Sequence, residues 1–161
     1  MDAIELLETQ HKEVEKLFKQ IEKAGEDGKQ DLFEQLADDL AVHAAIEEKH
    51  FYPATKGART EELLHEAVEE HLSVKRLVAD LMEMSPNDAQ FDAKLKVLQE
   101  QVEHHVEEER KELFPKVRKM LKKDELEDLG VVMEDMVEEL KASGSPRASV
   151  PAETGEAAPL E

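Results

Sequence analysis

The chain has 161 residues with no Cys, no Trp and a single Tyr, which excludes disulfides and thiolate metal sites of the zinc-ribbon or iron–sulfur kind. Its 40 acidic side chains against 21 Lys and Arg give a formal charge of −19, which argues against nucleic acid and anionic membranes as partners, since both need clustered cations to displace counterions. No apolar run approaches the roughly 20 residues of a membrane span, and the acidic start MDAIELLETQ is unlike a signal peptide, so a cytoplasmic protein is expected.

Glycine and proline punctuate the chain. Helices are predicted at about 2–24, 30–55, 60–84 and 89–121, separated by GEDGK, TKGART and MSPND. The first carries the stripe Ile4, Leu7, His11, Val14, Phe18, Ile21, at steps of three and four. The second carries Phe33, Leu36, Leu40, His43, Glu47 and His50. Leu64, Val68, His71, Val74, Val78 and Leu81 follow on the third, and Phe91, Leu95, Leu98, Val102, His105 and Glu109 on the fourth. A shorter helix is predicted at about 124–140, with Asp124 as its N-cap and Leu126, Leu129, Met133, Met136 and Leu140 on one face. The final stretch, ASGSPRASVPAETGEAAPLE, has little to bury and is predicted to be disordered. The fold class is therefore all-α, an up-down-up-down four-helix bundle. It spans residues 1–122, followed by an amphipathic fifth helix at 123–141 and a disordered tail at 142–161. A monomer is the default, because the apolar stripes are largely consumed within the bundle.

One layout occurs twice. HAAIEEKHFYP, residues 43–53, and HVEEERKELFP, residues 105–115, both place His first, Glu fifth and Pro eleventh. A proline inside a helix removes a hydrogen bond and kinks or ends it, so Pro53 and Pro115 mark one structural event in two related halves.

In antiparallel neighbours, residues equidistant from the connecting turn share a level. His11 and His43 are each 16 residues from Asp27, His43 and His71 each 14 from Gly57, and His71 and His105 each 17 from Asp88. All four histidines therefore fall in one layer, with Glu47 and Glu109 about 6 Å, one helical turn, toward one end. Burying two carboxylates without partners costs several kcal/mol each, and none of the six positions is Arg or Lys. A metal resolves the conflict, because it needs neutral imidazoles and ionised carboxylates at short range. Six ligands suit two adjacent ions bridged by carboxylates. Each helical hairpin would supply half a site through its His–Glu pair, completed by His11 and His71. Mixed nitrogen and oxygen donors suit iron or manganese, and zinc or copper would bind as well.

These segments, together with LLETQHKEVEKLF and EEHLSVKRLVADL, resemble the hemerythrin-like family in its HHE cation-binding branch over about residues 3–120. The resemblance implies a four-helix bundle holding two non-heme iron ions bridged by carboxylates. It implies the metal ligands His11, His43, Glu47, His71, His105 and Glu109, and no separate catalytic residue. Oxygen-carrying hemerythrins have a further histidine where this chain has Lys75, and an aspartate where it has Arg110, with Glu109 the candidate beside it. One nitrogen ligand is missing, so a more open iron is expected than in a reversible O2 carrier, able to take water, O2, NO or peroxide.

The other candidates are weaker. His50 on the stripe is read as a supporting or solvent-facing group, His104 and His65 as lying off the stripe, and Glu48 and Glu108 as solvated or supporting. Tyr52 is read as packing at the bundle end, and Leu40, Val74, Leu98 and Val102 as an apolar cage around the layer. The leading function is a di-iron protein binding or processing O2, NO or peroxide, including peroxide decomposition. The alternatives are iron storage without turnover, and a helical interaction module with a structural metal such as zinc.

Overall fold

The computed structural model describes residues 1–160, and Glu161, the last residue of the expected tail, lies outside it. Helix α1 is Ala3–Lys23, opened by Asp2, whose carboxylate accepts the Glu5 N–H at 2.8 Å. Helix α2 runs as Glu26–Ile46, passes through a π-helical turn Glu47–Phe51, and finishes as Tyr52–Thr55. Helix α3 is Glu61–Met82. Helix α4 repeats the pattern of α2, with Ala89–Glu108, a π-helical turn Glu109–Leu113 and a last stretch Phe114–Met120. Helix α5 is Lys123–Ala142, followed by 3-10 turns at Pro146–Glu153. No strand occurs among the described residues, and no described helix is long and apolar enough to cross a membrane.

Two boundaries differ from expectation. Helix α2 begins at Glu26 rather than near residue 30, because Glu26 and Asp27 in its first turn favour the positive end of the helix dipole. Asp124 is not the N-cap of α5. That helix starts one residue earlier, with the Lys122 N–H held by the Glu125 carboxylate at 2.8 Å.

Helices α1 to α4 form the antiparallel bundle, and its core divides in two. At one end Ile4, Leu7, Phe51, Leu64, Phe114 and Val117 cluster, covered by Leu126 and Met133 of α5. At the other end Phe18, Phe33, Leu36, Phe91 and Leu98 pack together. Between them lies the level of His11, His43, His71 and His105. Helix α5 crosses the start of α1 and the π turn of α2.

The expected disordered tail is instead partly docked. The 3-10 turns lie on α2 and α3, and Val150 enters the second core cluster at 3 % exposure. Arg147 donates to Asp38 from its backbone N–H at 2.9 Å and from Nη1 at 3.0 Å, and to Glu34 from Nη2 at 2.9 Å. One buried valine contributes roughly 1.5–3 kcal/mol and each part-exposed ion pair roughly 0–1 kcal/mol. Ala157 and Leu160 pack partly buried against the first core cluster, and with only these and Val150 turned inward the segment shows no stripe in sequence.

Gly130 of α5 lies against the chain start, where an added Cβ would meet the Met1 carbonyl oxygen at 2.5 Å and the Asp2 carbonyl carbon at 2.9 Å. Backbone cannot yield as a side-chain tip can. Gly130→Ala is expected to destabilise the fold by about 1–3 kcal/mol, lowering the melting temperature by several degrees despite the better helix propensity of alanine. An unchanged or raised melting temperature would show that α5 does not seat on the N-terminus.

Candidate metal centre

The two prolines set the local geometry. A proline ring inside an α-helix collides with the carbonyl four residues earlier and lacks the N–H that would bond it. Here the preceding turn widens in both helices, so that the Tyr52 N–H donates to the Glu47 carbonyl and the Phe114 N–H to the Glu109 carbonyl, five residues back. The extra residue in each turn rotates the rest of the helix about its axis. Tyr52 and Phe114 therefore take the interior face that an uninterrupted α-helix would give to positions three or four after each glutamate. His50, predicted on the stripe, is left partly exposed and outside the layer.

All six sequence-predicted ligand residues meet between the two core clusters. They form two groups of three, His11, His43, Glu109 and Glu47, His71, His105, with ligand atoms in each within 4.8 Å of one another. The grouping differs from the hairpin halves expected, since each glutamate serves the histidines across the bundle. Glu47 Oε1 lies 3.1 Å from His43 Nε2, 3.0 Å from His71 Nε2 and 3.7 Å from His105 Nε2. Glu109 Oε1 lies 3.1 Å from His11 Nε2 and 4.0 Å from His43 Nε2, while its Oε2 lies 3.5 Å from His105 Nε2. Both carboxylates thus span the two groups.

Three of the imidazoles are held from behind. His43 Nδ1 donates to Gln10 Oε1, His71 Nδ1 to Glu48 Oε2 and His105 Nδ1 to Glu70 Oε1, each at 2.7 Å. These bonds fix the ring orientation and leave Nε2 facing the layer, the arrangement that metal-binding histidines adopt. His11 is positioned differently, stacked on Phe114 with ring centroids 6.0 Å apart. Lys75, the residue in place of a further histidine, is buried with its ammonium 3.0 Å from both Glu48 and Glu153.

Tyr52 was missed as a site residue. It is fully buried, and its hydroxyl lies 3.1 Å from Glu47 Oε1, 3.0 Å from Glu109 Oε2 and 3.2 Å from His71 Nε2. The paired prolines were the signal that could have found it, because they widen the turn that brings residue 52 inward. Its counterpart in the second copy is Phe114, which has no hydroxyl, so the two halves of the layer differ chemically.

The electrostatics reflect the crowding. Burial pushes the Glu47 carboxyl up, but the His43 charge and hydrogen bonds from its neighbours outweigh this and hold it well below the ordinary range. Burial would lower the His105 imidazole, yet the Glu109 charge and hydrogen bonds from Glu109, Glu47 and Glu70 raise it well above its usual value. His71 is raised in the same way, against burial, by hydrogen bonds to Glu47 and Glu48. Burial and the charges of Glu109 and Glu47 drive the Tyr52 hydroxyl well up.

Two buried atoms remain unsatisfied: His43 Nε2, which lies 3.1 Å from Glu47 Oε1 but makes no hydrogen bond with it, and Glu47 Oε2, which has no partner. Orphaned buried polar atoms of this kind call for a ligand. A cation satisfies both, and imidazole and carboxylate together are the donors that iron, manganese or zinc takes. The residues present fit a metal.

Beside the imidazoles lies a cavity of about 50 Å³, lined by Val14, Leu40, Val74, Val102 and Val150. Leu98, expected in the cage, is buried in the core cluster and does not line it. His104 is exposed, 3.4 Å from Glu70 and 3.5 Å from Glu108, and His65 is exposed beside Glu61. Glu108 is pushed up to about 7 by burial and by the charges of Glu70 and Glu66.

Residues 2–117 match the hemerythrin HHE cation-binding domain, and the chain belongs to that family. Among solved structures it is similar to a hemerythrin HHE cation-binding domain-containing protein of Mycobacterium kansasii, with a TM-score of 0.81 and 24% identity over 95% of this chain and 99% of that one. At that identity the likeness concerns the fold alone. Among curated proteins it is 28% identical over 128 residues to a DNA nickase of Nostoc sp. (strain PCC 7120), covering 79% of this chain. The chain spans only 36% of that relative's length.

Because metal binding needs deprotonated imidazole nitrogens and His105 and His71 are raised, metal uptake near neutral pH must displace protons. Affinity is therefore expected to climb as pH rises through the neutral range. Titration of the metal-free protein with Zn²⁺ in weak buffer should release roughly one proton or more per ion. A pH-independent affinity with no proton release would exclude these imidazoles as ligands.

Proposed function

We propose that this protein is a non-heme di-iron protein that binds or processes O2 or a related small ligand, NO or peroxide. The observation that carries the reading is a pair of buried groups, each of two histidines and one glutamate, spanned by shared carboxylates and with two buried donor atoms left unsatisfied. His11, His43 and Glu109 would hold one ion and His71, His105 and Glu47 the other. When bound, iron supplies electron exchange between ferrous and ferric states.

The chain's own residues supply the rest. Gln10, Glu48 and Glu70 orient three imidazoles through their Nδ1 atoms. Tyr52 offers an oxygen to the His71–His105 side that Phe114 cannot offer to the His11–His43 side. That hydroxyl would serve as a ligand or hold a proton beside the centre. Lys75, tied to two carboxylates, would donate nothing to a bound metal, which would leave room there for a small ligand.

The storage alternative finds little support, since a cavity of about 50 Å³ has no room for an iron deposit. Nucleic acid is not part of this reading, because a charge of −19 repels a phosphate backbone. Nicking of supercoiled plasmid by the purified chain would contradict that exclusion.

Metal analysis with visible spectra in air, after dithionite and on adding peroxide tests the proposal. About two irons per chain, near-ultraviolet bands that bleach on reduction, and O2 release from peroxide are the expected results. Zinc or no metal, with no colour after anaerobic Fe²⁺ loading and exposure to air, would refute it. Glu47→Ala should lose at least one iron; wild-type stoichiometry in that variant removes Glu47 from the ligand set. Tyr52→Phe should retain both irons while changing the visible spectrum, and identical spectra would place the hydroxyl outside the centre.

A further inference from the structure

The cavity beside the imidazole layer is not closed by the four-helix bundle alone. Helices α1 to α4 contribute Val14, Leu40, Val74 and Val102, and the segment after α5 contributes Val150 and Glu153. Val150 is the one buried residue of Pro146–Glu153, and it joins the cluster that holds Phe33 and Leu98.

The hydrogen bonds and ion pairs that hold residues 146–155 are the other fastening, and beyond them Ala157 and Leu160 pack partly buried against the first core cluster. Arg147 reaches Asp38 and Glu34 at 2.9–3.0 Å, Glu153 reaches Lys75 at 3.0 Å, and Arg76 Nε donates to the Thr154 carbonyl at 2.9 Å. Part-exposed ion pairs contribute little and weaken with salt. The long helices beneath are fastened by continuous apolar faces. A segment with one apolar anchor opens at lower free energy than they do, and opening it uncovers the cavity wall.

We infer that residues 146–155 form a displaceable strap with Val150 as its plug, and that this strap gates the cavity for small uncharged molecules of the size of O2 or NO. The wall sets the ligand class. The imidazoles of His11, His43, His71 and His105 form one side of the cavity and would be taken up by a metal. The rest of the wall is aliphatic, and the Lys75 ammonium there is already paired with Glu48 and Glu153, so the passage favours small uncharged molecules. The destination of the ligand rests on the di-iron reading, whereas the strap and cavity stand without it.

Two measurements on the metal-free, full-length protein test the gate independently of iron. In hydrogen exchange, the amides of the 3-10 turns should exchange at least roughly tenfold faster than those of α2 and α3 beneath, and faster still at high salt. Under xenon, methyl resonances of Val74, Val102 and Val150 should shift, since a dry apolar cavity accepts xenon. Val150→Phe should abolish those shifts by filling the space, and Val150→Ala should keep them. Strap amides as slow as the helices, no xenon shift in the wild type, or shifts that survive Val150→Phe would each overturn the inference.

With iron loaded and reduced, the double variant Arg147→Ala, Glu153→Gln should bind NO at least roughly tenfold faster at unchanged iron content, because two rim anchors are gone. An unchanged rate in a chain that holds its iron overturns the gate. A chain that takes up no iron defeats the di-iron reading instead, and the exchange and xenon results then decide the gate alone.

Discussion

The structure depends on keeping two carboxylates and four imidazoles inside a helical bundle. Each buried charge costs several kcal/mol unless it is paired and hydrogen-bonded. The chain meets this by setting Glu47 and Glu109 among the histidine Nε2 atoms and by anchoring three Nδ1 atoms on Gln10, Glu48 and Glu70. The layer also divides the apolar core into two clusters, so each end of the bundle packs its own set of side chains. Two atoms are still left without partners, and this is why a cation belongs in the account of the layer as well as in the account of function.

The backbone contributes through its two π turns. A wider turn before Pro53 and Pro115 removes a steric clash and at the same time begins at a glutamate of the layer. One device thus relieves proline and re-aims the next interior residue. Because that residue is Tyr52 in one copy and Phe114 in the other, a duplicated framework yields an unequal site. The hydroxyl falls beside His71 and His105, and the plain ring stacks on His11.

Polar links extend from this layer to the surface. His71 is held by Glu48, Glu48 by Lys75, and Lys75 by Glu153 of the C-terminal segment. The last covering of the cavity is therefore tied to an imidazole of the layer through two ion-paired side chains. Position 75 illustrates the exchange: a cation there forgoes a further nitrogen donor and gains a tether for the segment that closes the cavity.

The four-helix architecture and the six converging side chains were legible in the sequence because both depend on periodicity. A stripe at steps of three and four fixes which face is interior, and equal distances from the turns fix the level of each histidine. Tyr52 escaped the periodic stripe, since a π turn changes the period within five residues and moves the interior face away from His50; only the paired prolines hinted at it. The crossed grouping of the glutamates was hidden as well, because a side chain's reach across the bundle is set by its rotamer and neighbours. The docking of Val150 left no periodic trace, since a single apolar anchor has no period. The sequence determined the bundle and the chemistry of its layer, both of which repeat along the chain. Only the tertiary structure decided which atoms meet in that layer and which segment closes over it, because those contacts join residues far apart in sequence.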